Sequence, residues 1–210
     1  MTDALKQYLI QGSFALSEEK IAPILSFYEL VLKENETQNL TRLTSPSDFY
    51  YGHVVDVLEL LKSFQLQYPI LDLGSGVGVP GILVALLADG EWVLAESEKR
   101  KAEYLQQAVL TFNLGSRVKV FPGRAETYLK GNSLPTVIAR AVGPVERIYS
   151  WIRSCSTWNN LILFKGPGWT DEWADFQKGR YRRELSLEKE HLYTVGPENK
   201  SRRIVHLIRK

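Results

Sequence analysis

The sequence predicts an α/β fold: a largely parallel sheet covered on both faces, preceded by a helical extension and closed by an antiparallel pair. Three observations carry this. Short apolar runs at Ile70-Leu71-Asp72-Leu73, Trp92 to Ala95, Val118 to Phe121, Thr136 to Ala139 and Leu161 to Phe164 alternate with helical patterns that begin near Pro80, Glu98, Ala125 and Pro144. Such alternation requires crossover connections between parallel strands. Upstream of Pro69 the apolar spacing is helical, and downstream Tyr181 to Leu187 and Ile204 to Ile208 have no helix between them.

Taken in order, the front opens with Ser17 followed by Glu18 and Glu19, an N-cap signal. Ile21, Ile24, Leu25, Tyr28 and Leu32 then recur at helical spacing before the polar run Glu34-Asn35-Glu36. A turn or cap is expected at Asn39-Leu40-Thr41. A second helix is expected to open near Pro46 or Ser47 with Phe49, Val54, Leu58 and Leu61 on its apolar face. This divides the 210 residues into a helical extension, 1–65, and a sheet domain, 66–210.

Composition narrows the class. Hydrophobic residues at 44% and charged residues at 24% exclude a disordered or collagenous chain. The single cysteine, Cys155, excludes an intramolecular disulfide and a cysteine-rich zinc site. Histidines 53, 191 and 206 have no metal-ligand spacing, so no metal is expected. The stretch Gly81 to Ala88 falls far short of the roughly 20 apolar residues of a membrane span. With no secretory leader recognised, a cytoplasmic, membrane-free protein is expected, and a monomer. The net charge of +2 conceals polarity: residues 1–60 carry 4 basic and 9 acidic side chains, whereas residues 178–210 carry 10 and 4. A basic tail of this kind can neutralise phosphates.

The segment richest in chemistry is Asp72-Leu73-Gly74-Ser75-Gly76-Val77-Gly78-Val79-Pro80-Gly81, directly after the first apolar run. Glycines let a backbone turn sharply and approach a ligand, and Pro80 suits the start of the following helix. Glu96 ends the next apolar run, where a carboxylate can accept both hydroxyls of a ribose. Gly76 to Gly81 also satisfies the dinucleotide pattern G-x-G-x-x-G. The acid Asp72 two residues before Gly74, the preceding helical segment and the antiparallel ending count against that option. Together these features resemble an S-adenosylmethionine-dependent methyltransferase.

Methyl transfer from a sulfonium asks the protein mainly to align a nucleophile and exclude water. After the fourth apolar run, amino-group methyltransferases show an Asn/Asp-Pro-Pro-aromatic segment, but this chain reads Ala139-Arg140-Ala141-Val142-Gly143-Pro144. Cys155 lies in a helical pattern and reads as a small buried side chain rather than a nucleophile. What remains is a nucleophile with a free lone pair, such as an endocyclic purine nitrogen.

Asn39-Leu40-Thr41, His53-Val54-Val55-Asp56, Val79-Pro80-Gly81, Glu98-Lys99-Arg100-Lys101, Arg124-Ala125-Glu126, Ala139-Arg140-Ala141 and Phe164-Lys165-Gly166 occur in this order. Over nearly the whole chain the sequence thus resembles the bacterial small-subunit ribosomal RNA guanine-N7 methyltransferases, also called glucose-inhibited division protein B. The resemblance implies a Rossmann-like class I methyltransferase with a seven-stranded sheet, acting with S-adenosylmethionine on a guanine in the 530 loop of 16S ribosomal RNA, free or in the small subunit. It implies cofactor contacts at Gly74, Gly76 and Val79, the ribose at Glu96, and the adenine edge at Ala125 and Glu126. Arg140 would be the active-site arginine, touching cofactor or target base. Lys165 and either Arg202 or Arg203 would meet RNA.

Two positions depart from the family pattern. Gly52 stands where the family usually has arginine before the histidine, and Val57 where it has serine after the aspartate. This puts a substrate role for that helix in doubt; His53 and Asp56 could equally be a hydrogen-bonded pair joining helix to domain. Trp169 and Trp173, four apart, suit a packing face or base stacking. The competing readings are a small-molecule methyltransferase and a nucleotide-binding module without catalysis.

Overall fold

The computed structural model describes residues 2–14 and 16–210. The front is helical, with α1 (Thr2–Gln11), α2 (Glu18–Gln38), α3 (Pro46–Phe49) and α4 (Val55–Ser63), the last two joined by a π-helical stretch at Tyr50–Val54. Helix α1 was not anticipated, although Leu5 and Leu9 are buried at helical spacing. Ser17 has the extended backbone of an N-cap but makes no side-chain cap bond. At α3 the cap is Ser45, whose hydroxyl accepts from the Asp48 N–H at 3.1 Å. The turn or cap expected at Asn39-Leu40-Thr41 falls where the helix ends. Helix α2 runs on to Gln38 and is closed by Asn39 in the left-handed region, φ 47°.

The sheet then alternates with helices: β1 (Ile70–Leu73), α5 (Gly81–Leu87), β2 (Trp92–Glu96), α6 (Lys99–Thr111), β3 (Val118–Pro122), α7 (Ala125–Leu129), β4 (Thr136–Arg140), α8 (Val145–Ile152), β5 (Asn160–Lys165), α9 (Trp169–Lys178), β6 (Leu185–Val195) and β7 (Lys200–Arg209). Strand order is β3-β2-β1-β4-β5-β7-β6, parallel except where β7 runs antiparallel to β5 and β6. This matches the expected α/β class. The closing hairpin begins later than expected, because Tyr181 lies in a turn and packs its ring between α8 and α9, 5.3 Å from Tyr149. Inserting β7 between β5 and β6 distinguishes the sheet from the dinucleotide-binding order 3-2-1-4-5-6.

Alternation along β1 separates two cores: Ile70 joins the cluster under the front helices, α5 and α6, while Leu71 and Leu73 join the cluster under α7, α8 and α9. The front helices have no core of their own. Phe27 of α2 is fully buried, with its ring 6.1 Å from Phe49 and 6.2 Å from Phe112 beyond α6. Truncating it to alanine should cost about 3–5 kcal/mol. Residues 52–56 of the helical front meet Arg140 at the carboxyl end of β4, which with β1 forms the strand pair at which chain order reverses.

Candidate active site

At the end of β1 the chain turns through Gly74, Gly76 and Gly78, all with positive φ (72°, 53° and 90°). Gly74 donates to the Ala95 carbonyl at 2.9 Å, tying the turn to β2. A Cβ on Gly74 would sit 3.0 Å from a Val142 methyl, so the turns after β1 and β4 touch only because position 74 lacks a side chain. Gly81 has a different role. A Cβ there would lie 2.3 Å from Leu94 and 2.8 Å from Asp72 Oδ2, and its N–H donates to that oxygen at 3.0 Å. Asp72 therefore pins the amino end of α5, and its complete burial pushes its pKa up to about 7.

Glu96 bridges two turns. Its Oε2 accepts from Gly76 N–H at 2.9 Å and its Oε1 from Glu98 N–H at 2.8 Å. Two donors leave about half of the carboxylate's lone pairs open, and among the described residues no cation lies within 4.0 Å of it. Beside it a cavity of about 140 Å³ is lined by Leu73, Gly74, Ala95, Ser97, Gly123, Arg124, Ala125, Glu126, Val142 and Trp151. Whole-ligand pockets run from about 300 Å³, so this slot fits one ring system. A partly open carboxylate beside an apolar ring slot fits an adenosine moiety. Glu126 pairs with Arg124, which also lies over the Trp151 ring at 5.5 Å, so both form the slot's polar rim. The Val79 side chain does not reach the slot; it is buried in the core beneath the front helices.

On the other side of the turn after β1, Arg140 ends β4 and points to the helical front. Its Nε donates to Asp56 Oδ2 at 3.0 Å, Nη1 donates to His53 Nδ1 at 3.0 Å, and Nη2 donates to the Gly52 carbonyl. Arg202 of β7 reaches the same carboxylate at 2.8 and 2.9 Å, and the Tyr193 hydroxyl donates to Asp56 Oδ1 at 2.8 Å. Burial and the two guanidinium groups hold the His53 pKa well below 6.5, so the ring is neutral. With Nδ1 accepting from Arg140, Nε2 carries the proton and faces Thr41 Oγ1 at 3.3 Å. The Thr41 loop, the π-helical stretch and three strands thus meet at Arg140.

His53 and Asp56 form the hydrogen-bonded link from helix to domain, through Arg140, Tyr193 and Arg202. Tyr193 was missed. It lies 137 residues from Asp56, and no local pattern signals that contact. At Gly52, a Cβ would meet a Leu43 methyl at 2.4 Å. Leu43 thus occupies the space where a side chain at position 52 would start.

The cations expected to meet RNA are engaged internally. Lys165 Nζ lies 2.7 Å from Glu172 and 2.9 Å from the Gly143 carbonyl, and its side chain is 8% exposed. Arg203 pairs with Glu190 at 2.8 Å and donates to Thr170. Arg202 belongs to the Asp56 cluster, whereas Arg182 and Arg183 are exposed. Trp169 is buried and stacks on Trp173 at 5.4 Å, which in turn stacks on Phe176, a packing ladder. Among the described residues no cluster of metal-ligating side chains occurs, and no helix is long and apolar enough to cross a membrane.

Comparison with known proteins places this geometry. The family model for GidB, rRNA small subunit methyltransferase G, matches residues 20–205. Two relatives carry the name ribosomal RNA small subunit methyltransferase G. That of Rhodopirellula baltica is 33% identical, spanning 93% of this chain and 85% of its own; that of Nitrosomonas europaea is 36% identical, spanning 89% and 86%. Among solved structures, an O-methyltransferase from Bacillus cereus bound to SAH aligns with a TM-score of 0.59 at 16% identity over 100% of both chains. A tRNA methyltransferase from Bacillus subtilis aligns with 0.55 at 12% identity over 73% of this chain and 65% of its own. At such identities the structural likeness establishes the fold, a Rossmann-like methyltransferase sheet. The extent of the family match establishes more: the chain belongs to the rRNA small subunit methyltransferase G family.

Proposed function

We propose that the protein transfers a methyl group from S-adenosylmethionine to N7 of a guanine in the 530 loop of 16S ribosomal RNA. Family membership makes it an S-adenosylmethionine-dependent methyltransferase of small-subunit rRNA; the atom and the loop are the finer reading. When bound, the cofactor supplies an activated sulfonium methyl. Glu96 would hold the ribose hydroxyls, the slot at Ala95 and Ala125 the adenine, and the turn at Gly74 and Gly76 the backbone contacts.

One observation carries the choice of nucleophile: among the described residues, neither titratable group that touches Arg140 is a free base. Asp56 accepts four hydrogen bonds, and both ring nitrogens of His53 are engaged. A nucleophile that must shed a proton has no acceptor beside Arg140. Guanine N7 carries a lone pair and no proton, and so needs none. Arg140 has five N–H groups, of which three are taken by residues 52–56. The remaining two suit the O6 acceptor that guanine presents beside N7, which orients the base.

The test is to incubate small ribosomal subunits and free 16S rRNA with enzyme and methyl-labelled cofactor, then treat the RNA with borohydride and aniline. Cleavage at one guanine is the expected result. Label on an exocyclic amine would overturn the choice of atom, and label found only in small molecules would overturn the RNA substrate.

A further inference from the structure

We infer that a tyrosine-lined groove beside the active site is a base-stacking subsite for a nucleotide of the RNA substrate other than the methylated one. This rests on the rRNA-methylating reading above. Two cavities, of about 790 and about 530 Å³, share Tyr8, Tyr51, Val195, Gly196 and Pro197 and so form one groove between α1, the π-helical stretch and the tip of the β6–β7 hairpin. Three tyrosine rings meet in it. Tyr8 stacks on Tyr50 at 5.5 Å, and Tyr51 stands edge-on to both, at 5.6 and 5.1 Å. Tyr50 is buried, but Tyr8 and Tyr51 remain partly exposed.

The walls pack closely on two of the rings. A Cβ on Gly12 would overlap the Tyr50 hydroxyl, so the end of α1 closes tightly on that ring. Across the groove, Gly196 has φ 71° and leaves 3.8 Å between its Cβ position and the Tyr51 ring. One end of the groove reaches Gly52 and Arg202. Gly52 is the residue whose carbonyl receives Arg140, and Arg202 pairs with Asp56, so the groove borders the Arg140 cluster. The helix that forms one wall precedes residues 20–205, the span shared with the family model.

Charge decides the chemistry of the occupant. Glu59 is taken by His191 at 2.8 Å, Glu198 by Lys200 at 2.9 Å, Asp48 by the Ser45 hydroxyl at 2.7 Å, and Arg202 by Asp56. The two cations of the lining, Lys200 and Arg202, are thus paired, while Asp48 has only a neutral partner and Glu59 an imidazole that is a cation only when protonated, so the groove disfavours a phosphate and suits an uncharged heteroaromatic ring. A base stacks on a tyrosine by its π face, and the neutral side chains of Gln7, Gln11, Ser13 and Thr194 offer donors and acceptors to its edge.

The experiment compares Tyr51→Ala and Tyr8→Ala with Tyr51→Phe and Tyr8→Phe. Methyl transfer is measured against small-subunit concentration, with cofactor binding measured by calorimetry. KM for the subunit should rise about tenfold in the alanine variants, the scale of one lost base–aromatic stack. The phenylalanine variants should stay near wild type, the effect should fall on KM rather than kcat, and cofactor affinity should hold. Because Tyr8→Ala also loosens α1, ultraviolet crosslinking of a 16S rRNA fragment to the wild-type protein gives a second readout, with adducts expected at Tyr8 or Tyr51. Unchanged KM in both alanine variants, or crosslinks confined to other residues, would overturn the subsite. So would altered sedimentation of the protein alone with unchanged KM, which assigns the groove to a second copy. A wild type that methylates no rRNA yet crosslinks at Tyr51 would overturn the proposed reaction and leave the subsite standing.

Discussion

The two sides of the candidate active site are built in opposite ways. The side proposed to hold the cofactor is local: Asp72, Gly74, Gly76, Gly81 and Glu96 lie within 25 consecutive residues, and their hydrogen bonds span 9 and 20 positions. The Arg140 side is assembled from a distance, with bonds that span 84, 87, 137 and 146 positions. Local construction makes the cofactor side tolerant of change elsewhere, whereas the Arg140 side depends on docking of the helical front and of the β6–β7 hairpin. The same carboxylate, Asp56, serves both purposes there: it holds the front helices to the sheet and orients the arginine.

The largest expected effect therefore falls on Asp56, not on any residue of the glycine turn. Asp56→Ala leaves the guanidinium groups of Arg140 and Arg202 without their shared acceptor in a site where the aspartate side chain is 3% exposed. Breaking a buried pair in this way costs about 3–5 kcal/mol, to be read from urea unfolding, and methyl transfer should be lost with it. Stability within 1 kcal/mol of wild type would show that the distance-built side carries no special load, removing the contrast. Next comes Arg140→Ala, which retains the Arg202–Asp56 pair. Turnover should fall about 100-fold, as expected for losing the group that positions a reactant, with cofactor affinity within about twofold. A matching loss of cofactor affinity would place Arg140 on the cofactor side instead. Glu96→Ala should weaken cofactor binding about tenfold, equivalent to about 1.4 kcal/mol for a lost charge-assisted hydrogen bond, measured by calorimetry. Equal affinity would remove the ribose role.

The same contrast explains what could be read from the sequence. The five parallel strands, the glycine turn and Glu96 were legible because each is set by neighbours in the chain: apolar runs of strand length, glycines where φ must be positive, an acid at a strand end. The internal partners of Lys165, Arg202 and Arg203 were not, because a basic residue looks the same in sequence whether its carboxylate partner is in reach or not. Glu172, Asp56 and Glu190 come into reach only when α9, α4 and β6 dock. Helix α1 went unread for a different reason: Leu5 and Leu9 gave a pattern too short to stand out from its polar surroundings. Gly52 is the instructive middle case. Its departure from the family pattern was visible, yet its consequence, a Leu43 side chain filling the vacated space, needed the fold.

The last comparison of the two sides is by pH. Burial raises Asp72 from 3.8 to about 7, so its contribution to stability is complete below pH 3.8 and is lost as pH rises toward 7. His53 runs the other way. Its folded pKa is lowered below 6.5, so its contribution is present above pH 6.5 and is lost as pH falls toward the folded value. In the window just below pH 6.5 the two slopes oppose one another, each limited to about 1.4 kcal/mol per pH unit for one proton, which flattens the wild-type profile. Asp72→Asn keeps an acceptor for the Gly81 N–H but removes the titration. Urea midpoints of this variant should therefore climb with pH across that window more steeply than those of the wild type. A variant profile parallel to wild type would mean that Asp72 titrates normally in the fold, and that the glycine turn is anchored at neutral pH by a fully ionised acid rather than one that is about half protonated.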